Sequence, residues 1–275
     1  MRRWYLVAAA LLAVVVAATG TWFALRPEDA KPGAASCANP AAPGTEKSPA
    51  TGGGIPAPGG GGLTIVEGGF AQVQDGGQVS VGAVIENNSR QVAYHTRFTL
   101  RATAAGGATA LRPGQQLLIE IPFIRPGQRA IAGNVAAVNG AQKVADARID
   151  LVETRWAPES DTESFPSIVT VLDTAEPPAR DAPNVPLQVT SNSCGELAQR
   201  GAMLIYRNGG GRLVGGVYNR DRYPGERCSP GTQATRIRTF WEAPPDADPS
   251  RSEAAVLCDV AGFVPDPRES DQPVN

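Results

Sequence analysis

The segment Tyr94-His95-Thr96-Arg97-Phe98-Thr99-Leu100-Arg101-Ala102 alternates between two kinds of residue with a period of two. In an extended chain the residues at even numbers would lie on one, mostly apolar face, and His95, Arg97, Thr99 and Arg101 on the other. One apolar face and one charged face are typical of a half-buried antiparallel strand. This segment therefore predicts a β-sheet with one side in water.

Similar short apolar segments occur on both sides of it, separated by turns rich in Asn, Gly and Pro. In the first half they are 79–85, 117–123, 131–138 and 147–154. After an acidic break at 157–166 they are 168–172, 187–190, 202–206, 213–218, 235–241 and 254–260. Strands at this spacing are typical of β-sandwiches. We expect an all-β chain with two small antiparallel sandwich domains in tandem, at 63–156 and 166–264.

The two halves also share short patterns. Residues 82–88 are similar to 201–208, and Arg-Pro-Gly-Gln at 125–128 is similar to Ser-Pro-Gly-Thr at 229–232. Self-similarity of this kind is what a duplicated domain would leave in a sequence. The pattern therefore favours a tandem duplication.

The order of these elements resembles the FxLYD-type immunoglobulin-like domains of bacterial envelope proteins. The resemblance rests on the Asn-rich turn at 84–89, the alternating strand at 94–100, and the Gly-rich and Pro-Gly turns that follow. It covers residues 79–138 and, more faintly, 202–241. The chain departs from the family pattern at Leu100-Arg101-Ala102, where the family has an aromatic residue and an aspartate. The resemblance implies immunoglobulin-like domains that act in adhesion or assembly and carry no catalytic residues.

The N-terminus carries an apolar segment. Met1-Arg2-Arg3 precedes 22 uncharged residues at 4–25, which as a helix would extend about 33 Å and could cross a bilayer. Aromatic residues lie at both ends of the segment, and the two arginines predict a cytoplasmic N-terminus. We expect a transmembrane signal-anchor helix at 1–26, with the plasma membrane as one partner and the rest of the chain extracytoplasmic.

Two other fates of this segment are compatible with the sequence. Ala17-Ala18 offers small residues to a signal peptidase, which would release a secreted protein. The apolar segment is longer than an ordinary signal peptide, which favours the anchor. Ala34-Ala35-Ser36-Cys37 is similar to a lipobox, but charged residues separate it from the apolar segment, which disfavours lipidation.

Residues 27–62 contain 16 Pro or Gly among 36 residues, and Ile55 is their single large apolar side chain. Such a composition buries too little apolar surface to offset the entropy lost on ordering. We expect a disordered stalk at 27–62 and, because 265–275 is also polar, a disordered tail there.

Composition excludes some classes of partner. The net charge is -2, and the arginines are scattered, so the chain offers no basic stripe for a nucleic acid. The bias toward Ala, Gly, Pro and Arg is typical of a bacterial genome of high GC content. We expect an envelope protein of such a bacterium, with another envelope protein as its partner.

The four cysteines would lie outside the cytoplasm, where thiols oxidise readily. We expect a disulfide between Cys228 and Cys258, which would close a loop of about 30 residues and contribute about 3 to 4 kcal/mol. Cys194 could compete for either partner. Cys37 could pair with Cys194, bridge two chains or remain free.

The sequence contains few residues suited to catalysis. The single histidine, His95, lies on the polar face of its strand without a nucleophile motif, and the cysteines lack C-x-x-C spacing. We therefore expect no catalytic site, no metal and no cofactor. The alternative is an envelope hydrolase that acts on carbohydrate through paired carboxylates such as Asp146, Asp150 and Asp221. Asp146 and Asp150 would lie on one side of a predicted strand and Glu153 on the other. Interleaved Arg148 and Arg155 fit a solvated strand face equally well.

One turn is a candidate binding loop. Asn219, Arg220, Asp221, Arg222 and Tyr223 place a tyrosine beside two arginines, a composition favoured at interaction hot spots. The function expected from the sequence is a membrane-anchored binding or scaffolding protein without catalytic activity.

Overall fold

The computed structural model describes residues 37–38, 46–115, 117–173, 184–219, 227–238 and 243–261. These residues belong to one compact unit that begins at Cys37. Within these ranges no helix is long and apolar enough to span a bilayer. The expected anchor at 1–26 and tail at 265–275 lie outside the described residues.

The described part of the chain is built from strands and two short 3-10 segments, as an all-β fold requires. The strands are β1 (Glu46–Pro49), β2 (Gly54–Pro56), β3 (Gly62–Val73), β4 (Gln78–Asn87), β5 (Ala93–Ala104), β6 (Leu118–Ile124), β7 (Arg129–Ala137), β8 (Val144–Trp156), β9 (Ile168–Leu172), β10 (Asn184–Ser191), β11 (Leu197–Asn208), β12 (Leu213–Asn219), β13 (Arg227–Cys228), β14 (Gly231–Arg238) and β15 (Ala247–Asp259). The 3-10 segments are Asn139–Ala141 and Glu159–Ser164.

The strands form four antiparallel sheets. Sheet 1 has the order β1-β8-β5-β6, sheet 2 the order β2-β3-β4-β7, and sheet 4 the order β14-β10-β9. In sheet 3, β11 pairs with β12 and β13 on one side and with β15 on the other. Phe98 and Val81 belong to a core between sheets 1 and 2, whereas Leu187 and Leu204 belong to a core between sheets 3 and 4. Each half of the chain therefore forms a two-layer β-sandwich.

Sheets 2 and 3 also pack against each other, so that β4 and β11 are buried on both faces. In β11, Met203 and Ile205 extend the first core, whereas Leu204 and Tyr206 belong to the second. Strands buried on both faces carry a continuous run of small and apolar residues instead of alternation. This explains the uninterrupted Ala-Met-Leu-Ile-Tyr sequence at 202–206.

The contact between sheets 2 and 3 is lined by glycine. A methyl group on Gly133 would lie 2.7 Å from the backbone nitrogen of Val217, and one on Gly216 would lie 2.8 Å from the Cα of Gly133. A methyl group on Gly82 would overlap the carbonyl oxygen of Gly215. The backbones of the two sheets are thus in direct contact. We call this surface the glycine interface; its members are Gly69, Gly82, Gly133, Gly215 and Gly216.

Ser80 fixes the alignment of the two sheets across this interface. Its Oγ donates to the carbonyl oxygen of Gly216 at 2.8 Å and accepts from the Gly216 N–H at 2.9 Å. Ser80 is 1% exposed, so these two bonds replace the hydrogen bonds to water that burial removes. The buried hydroxyl group of Ser80 therefore has hydrogen-bond partners within the tightly packed interface.

The prediction of a disordered stalk at 27–62 is wrong for residues 46–62. Glu46–Pro49 pairs with β8, Gly54–Pro56 pairs with β3, and Ile55 is 1% exposed in the first core. Main-chain hydrogen bonds to existing strands hold this segment, and they do not depend on apolar side chains. Composition alone could not reveal them. Residues 27–36 and 39–45 of the expected stalk lie outside the described part.

The glycine interface predicts a sharp contrast between two glycines of neighbouring strands. Gly82→Ala should lower the free energy of unfolding by about 2 kcal/mol or more, because the methyl group forces the sheets apart. Gly68→Ala is the matched control, since its methyl group would lie 3.8 Å from the carbonyl oxygen of Gly82, an ordinary van der Waals distance. It should change the free energy by less than about 1 kcal/mol. If urea denaturation showed that both variants lose the same free energy of unfolding, the direct backbone contact at the glycine interface would be contradicted.

Candidate functional site

The single histidine of the chain lies in a β-bulge. Between Tyr94 and Arg97, β5 has one more residue than its partner β8. His95 occupies the extra position with φ of 51°, a left-handed conformation that is uncommon for residues other than glycine. Bulges change the direction in which a side chain points. The bulge thus aims His95 away from the regular alternation of its strand.

His95 lies between two carboxylates that come from different sandwiches. Its Nδ1 is 2.7 Å from Oε1 of Glu120 on β6, and its Nε2 is 3.7 Å from Oδ2 of Asp259 at the end of β15. The second distance is too long for a hydrogen bond, so that attraction is between charges. The side chain of Asp259 is fully buried and is also bound by Arg200 at 2.7 Å and by the Ala261 N–H at 2.9 Å.

The histidine is one member of a longer series of alternating charges. Arg97 binds Glu120 at 3.0 Å and Glu153 at 3.1 Å, and Lys47 binds Glu153 at 2.6 Å. The series crosses from the outer surface of sheet 1 into sheet 3. In order, its members are Lys47, Glu153, Arg97, Glu120, His95, Asp259 and Arg200.

The surroundings of His95 keep it protonated. Burial opposes the charge of the ring, but the carboxylates of Asp259 and Glu120 outweigh it and raise the pKa of His95 from 6.5 to about 9. Burial alone would raise the pKa of Asp259, yet His95, the Ala261 N–H and Arg200 together lower it. At neutral pH an imidazolium ion therefore sits between two carboxylates. The charged ring thus contacts carboxylates of both sandwiches and links them electrostatically.

The prediction that His95 lies on the solvated face of its strand is correct for the strand but not for the exposure of the side chain. Its side chain is only 23% exposed because the end of β15 folds over it. Tyr94 packs edge-on against the ring with centroids 4.0 Å apart. Asp259 lies 164 residues further along the chain, and no local pattern indicates the pairing.

A second ionic contact joins the two sandwiches between sheets 2 and 3. Arg207 of β11 binds Glu67 of β3 and Glu253 of β15, both at 2.6 Å. The hydrogen bond from Arg207 lowers the pKa of Glu67. The Arg207 contact joins sheets 2 and 3, whereas the His95 contact joins sheets 1 and 3. Both therefore add ionic contacts between the two sandwiches.

The carboxylates considered for hydrolysis lie on an open sheet face. Asp146 and Asp150 both bind Arg148 at 3.0 Å, and Asp150 also binds Arg101 at 2.8 Å. The side chain of Asp146 is 56% exposed. Each carboxylate is therefore occupied by an arginine, in agreement with a solvated strand face. Asp221, the third candidate, lies outside the described residues.

The candidate binding loop is described only at its first residue. Asn219 ends β12 and is 8% exposed. Arg220, Asp221, Arg222 and Tyr223 lie outside the described residues. The binding role of this loop stays a prediction.

Two disulfides are present. Cys228 is joined to Cys258, the pair expected from the sequence, and Cys37 is joined to Cys194, one of the alternatives for those residues. The Cys228–Cys258 bond belongs to the second core. The Cys37–Cys194 bond ties residues 37–38 to the segment between β10 and β11. With both formed, none of the four cysteines is free.

An open groove of about 540 Å³ lies where edge strands of all four sheets converge. Its lining is mainly apolar, and Phe123, Ile131, Leu172 and Val256 each represent a different edge strand. Edge strands carry main-chain donors and acceptors on their free side. The groove combines an apolar surface with free strand edges, and extended polypeptides bind to surfaces of this kind. Sequence reasoning missed it because it arises from the relative position of the four sheets.

Within the described ranges no group of three or more His, Cys, Asp or Glu residues is arranged to hold a metal ion.

No protein-family model matches the chain, and no curated protein sequence matches it.

The pKa of His95 predicts how stability depends on pH. Because protonation is favoured in the folded state, its contribution is full below pH 6.5, falls as pH rises, and is lost above about pH 9. The whole contribution is about 3 kcal/mol, and His95→Asn should abolish it while keeping a residue that tolerates the left-handed backbone.

Urea denaturation of both proteins between pH 6 and pH 10 measures this contribution. The wild-type free energy of unfolding should exceed that of the variant at the acidic end and approach it at the alkaline end. Parallel pH profiles would show that His95 does not join the sandwiches electrostatically.

Proposed function

We propose that this chain is a membrane-anchored, extracytoplasmic binding or scaffolding protein of a bacterial cell envelope, without catalytic activity. The anchor is the apolar segment at 4–25, with the N-terminus in the cytoplasm. The observation that carries the proposal is the groove beside β6, β7, β9 and β15, which offers an apolar lining and the free edges of β6, β7 and β15 to a partner. The partner is another envelope protein.

The two disulfides support an oxidising compartment. Cys37–Cys194 and Cys228–Cys258 account for all four cysteines, whereas the cytoplasm keeps most thiols reduced. Release by signal cleavage near Ala18 would leave the protein in the same compartment but without its anchor.

The two sandwiches also support the proposed likeness to immunoglobulin-like domains of the FxLYD type. Each half packs two antiparallel sheets around its own core, as such domains do. Domains of this architecture present loops and strand edges to partners. The glycine interface holds the two halves in one arrangement, and a scaffold benefits from such rigidity because less entropy is lost on binding.

Hydrolysis of carbohydrate is the less favoured function. The carboxylates Asp146 and Asp150 are bound to Arg148 on an exposed sheet face, and neither lines the groove. A glycosidase needs two carboxyl groups that face a common substrate site.

Site-specific photocrosslinking in the native membrane tests the proposal. Benzoylphenylalanine at Phe123, an aromatic position in the groove, should give crosslinks to one specific envelope protein, identified by mass spectrometry. The control is the same probe at Val66, which is 47% exposed and lies outside the groove. It should give fewer crosslinks to that protein.

Two outcomes would contradict the proposal. Equal crosslinking from both positions would show that the groove is not the binding surface. A protein that is cleaved near Ala18 and recovered from the medium free of envelope proteins would refute the anchored scaffold. The search would then turn to secreted hydrolase activity.

A further inference from the structure

The short strand β9 is an unusual edge strand. It pairs with β10 over its whole length, and among the described strands it has no partner on its other side. None of its five residues is buried, and Val169 and Val171 are 52% and 50% exposed. These two valines are half of the exposed large apolar residues in the described part of the chain. β9 is therefore an accessible apolar strand at the rim of the groove.

Other described edge strands carry features that discourage pairing with another chain. Proteins protect sheet edges with charges, prolines or a covering helix or loop. Such residues occur in most of them, namely Lys47 and Pro49 in β1, Pro56 in β2, Glu120 and Pro122 in β6, Arg129 in β7, Arg236 in β14 and Arg251 in β15. β12 lacks them, but all of its residues except Tyr218 are buried. β9 is thus unprotected and exposed at once.

The sequence of β9 is complementary to itself. Ile168-Val169-Thr170-Val171-Leu172 is nearly symmetric about Thr170. In an antiparallel pair of two copies, Val169 would face Val171, Ile168 would face Leu172, and Thr170 would face Thr170. Every facing pair is apolar or Thr–Thr, the kinds that stabilise antiparallel sheets, and no like charges oppose each other.

We propose that β9 is a self-association site, where a second copy of this chain adds its own β9 in antiparallel register centred on Thr170. The product is a continuous six-stranded sheet with the order β14-β10-β9-β9-β10-β14. A twofold axis relates the two copies, as in most homodimers. The inner face of β9 is already held, because the Oγ1 of Thr170 accepts from the Val256 N–H at 3.0 Å, so the strand is ordered before it pairs.

The size of the contact sets its strength. One five-residue strand and two half-exposed valines per copy bury much less than the roughly 1,200 Å² of a standard stable interface. The dimer is therefore weak and depends on concentration. Confinement of both copies to one membrane would raise their effective concentration and favour the pair.

Mixed cysteine crosslinking tests both the partner and the register. Full-length chains carrying Val169→Cys and Val171→Cys are purified separately in mild detergent, then mixed and oxidised gently. The four natural cysteines are paired, so each variant has one free thiol. Because the register places residue 169 against residue 171, the mixture should form covalent dimers at least about tenfold faster than either variant alone.

The control is a mixture of Gln188→Cys with Val171→Cys. Gln188 is exposed but belongs to the central strand β10, and it should not crosslink above background. A mixture of the two β9 variants that crosslinks no faster than either alone would overturn the proposal.

Charge substitution provides an independent test by sedimentation. Val169→Lys with Val171→Lys places like charges opposite each other on two exposed positions, and should lower the association constant at least about tenfold. The paired Glu variant, mixed with the Lys variant, should restore the dimer. A wild-type chain that stays monomeric at every concentration, or a dimer that survives in the Lys variant, would refute self-association through β9.

Discussion

The direct contact between the backbones of sheets 2 and 3 is the constraint on which the rest of the structure depends. Side chains normally keep packed sheets about 10 Å apart. Here Gly82 and Gly133 meet Gly215 and Gly216 without intervening side chains, and Ser80 joins them by two buried hydrogen bonds. Because interiors pack at crystal-like density, this contact permits one alignment of the two sandwiches. The ionic contacts at His95 and Arg207 are consequences of that alignment.

The same constraint explains why the candidate binding surface exists. Edge strands from all four sheets meet in one groove only because the sheets are stacked in a fixed order. Two independent sandwiches joined by a flexible linker would not keep β6 and β7 beside β9 and β15. A scaffold built in this way presents a preformed surface, and partners then lose less conformational freedom on binding. The proposed recognition would use the apolar lining and the strand edges of this groove.

Local patterns predicted much of the fold. The alternation at 94–102 corresponds to β5, the apolar run at 168–172 to β9, and the all-β class follows from their number. β3 was missed because a bulge near Ile65 and the pair Gly68-Gly69 break its alternation. The strands at 46–56 were missed because main-chain pairing, not side-chain pattern, holds them. The groove and the His95–Asp259 contact could not be predicted, because both join residues far apart in sequence. They depend on a contact between two sheets that is lined by glycines, and glycines give no apolar pattern in the sequence.

If the glycine interface couples the halves, the two sandwiches form one cooperative unit. Differential scanning calorimetry of the chain, with both disulfides intact, measures this coupling. The two sandwiches should unfold in a single transition whose calorimetric enthalpy equals its van't Hoff enthalpy. Two separable transitions, each with the enthalpy of half the chain, would contradict it and would mean that the glycine interface does not couple the halves.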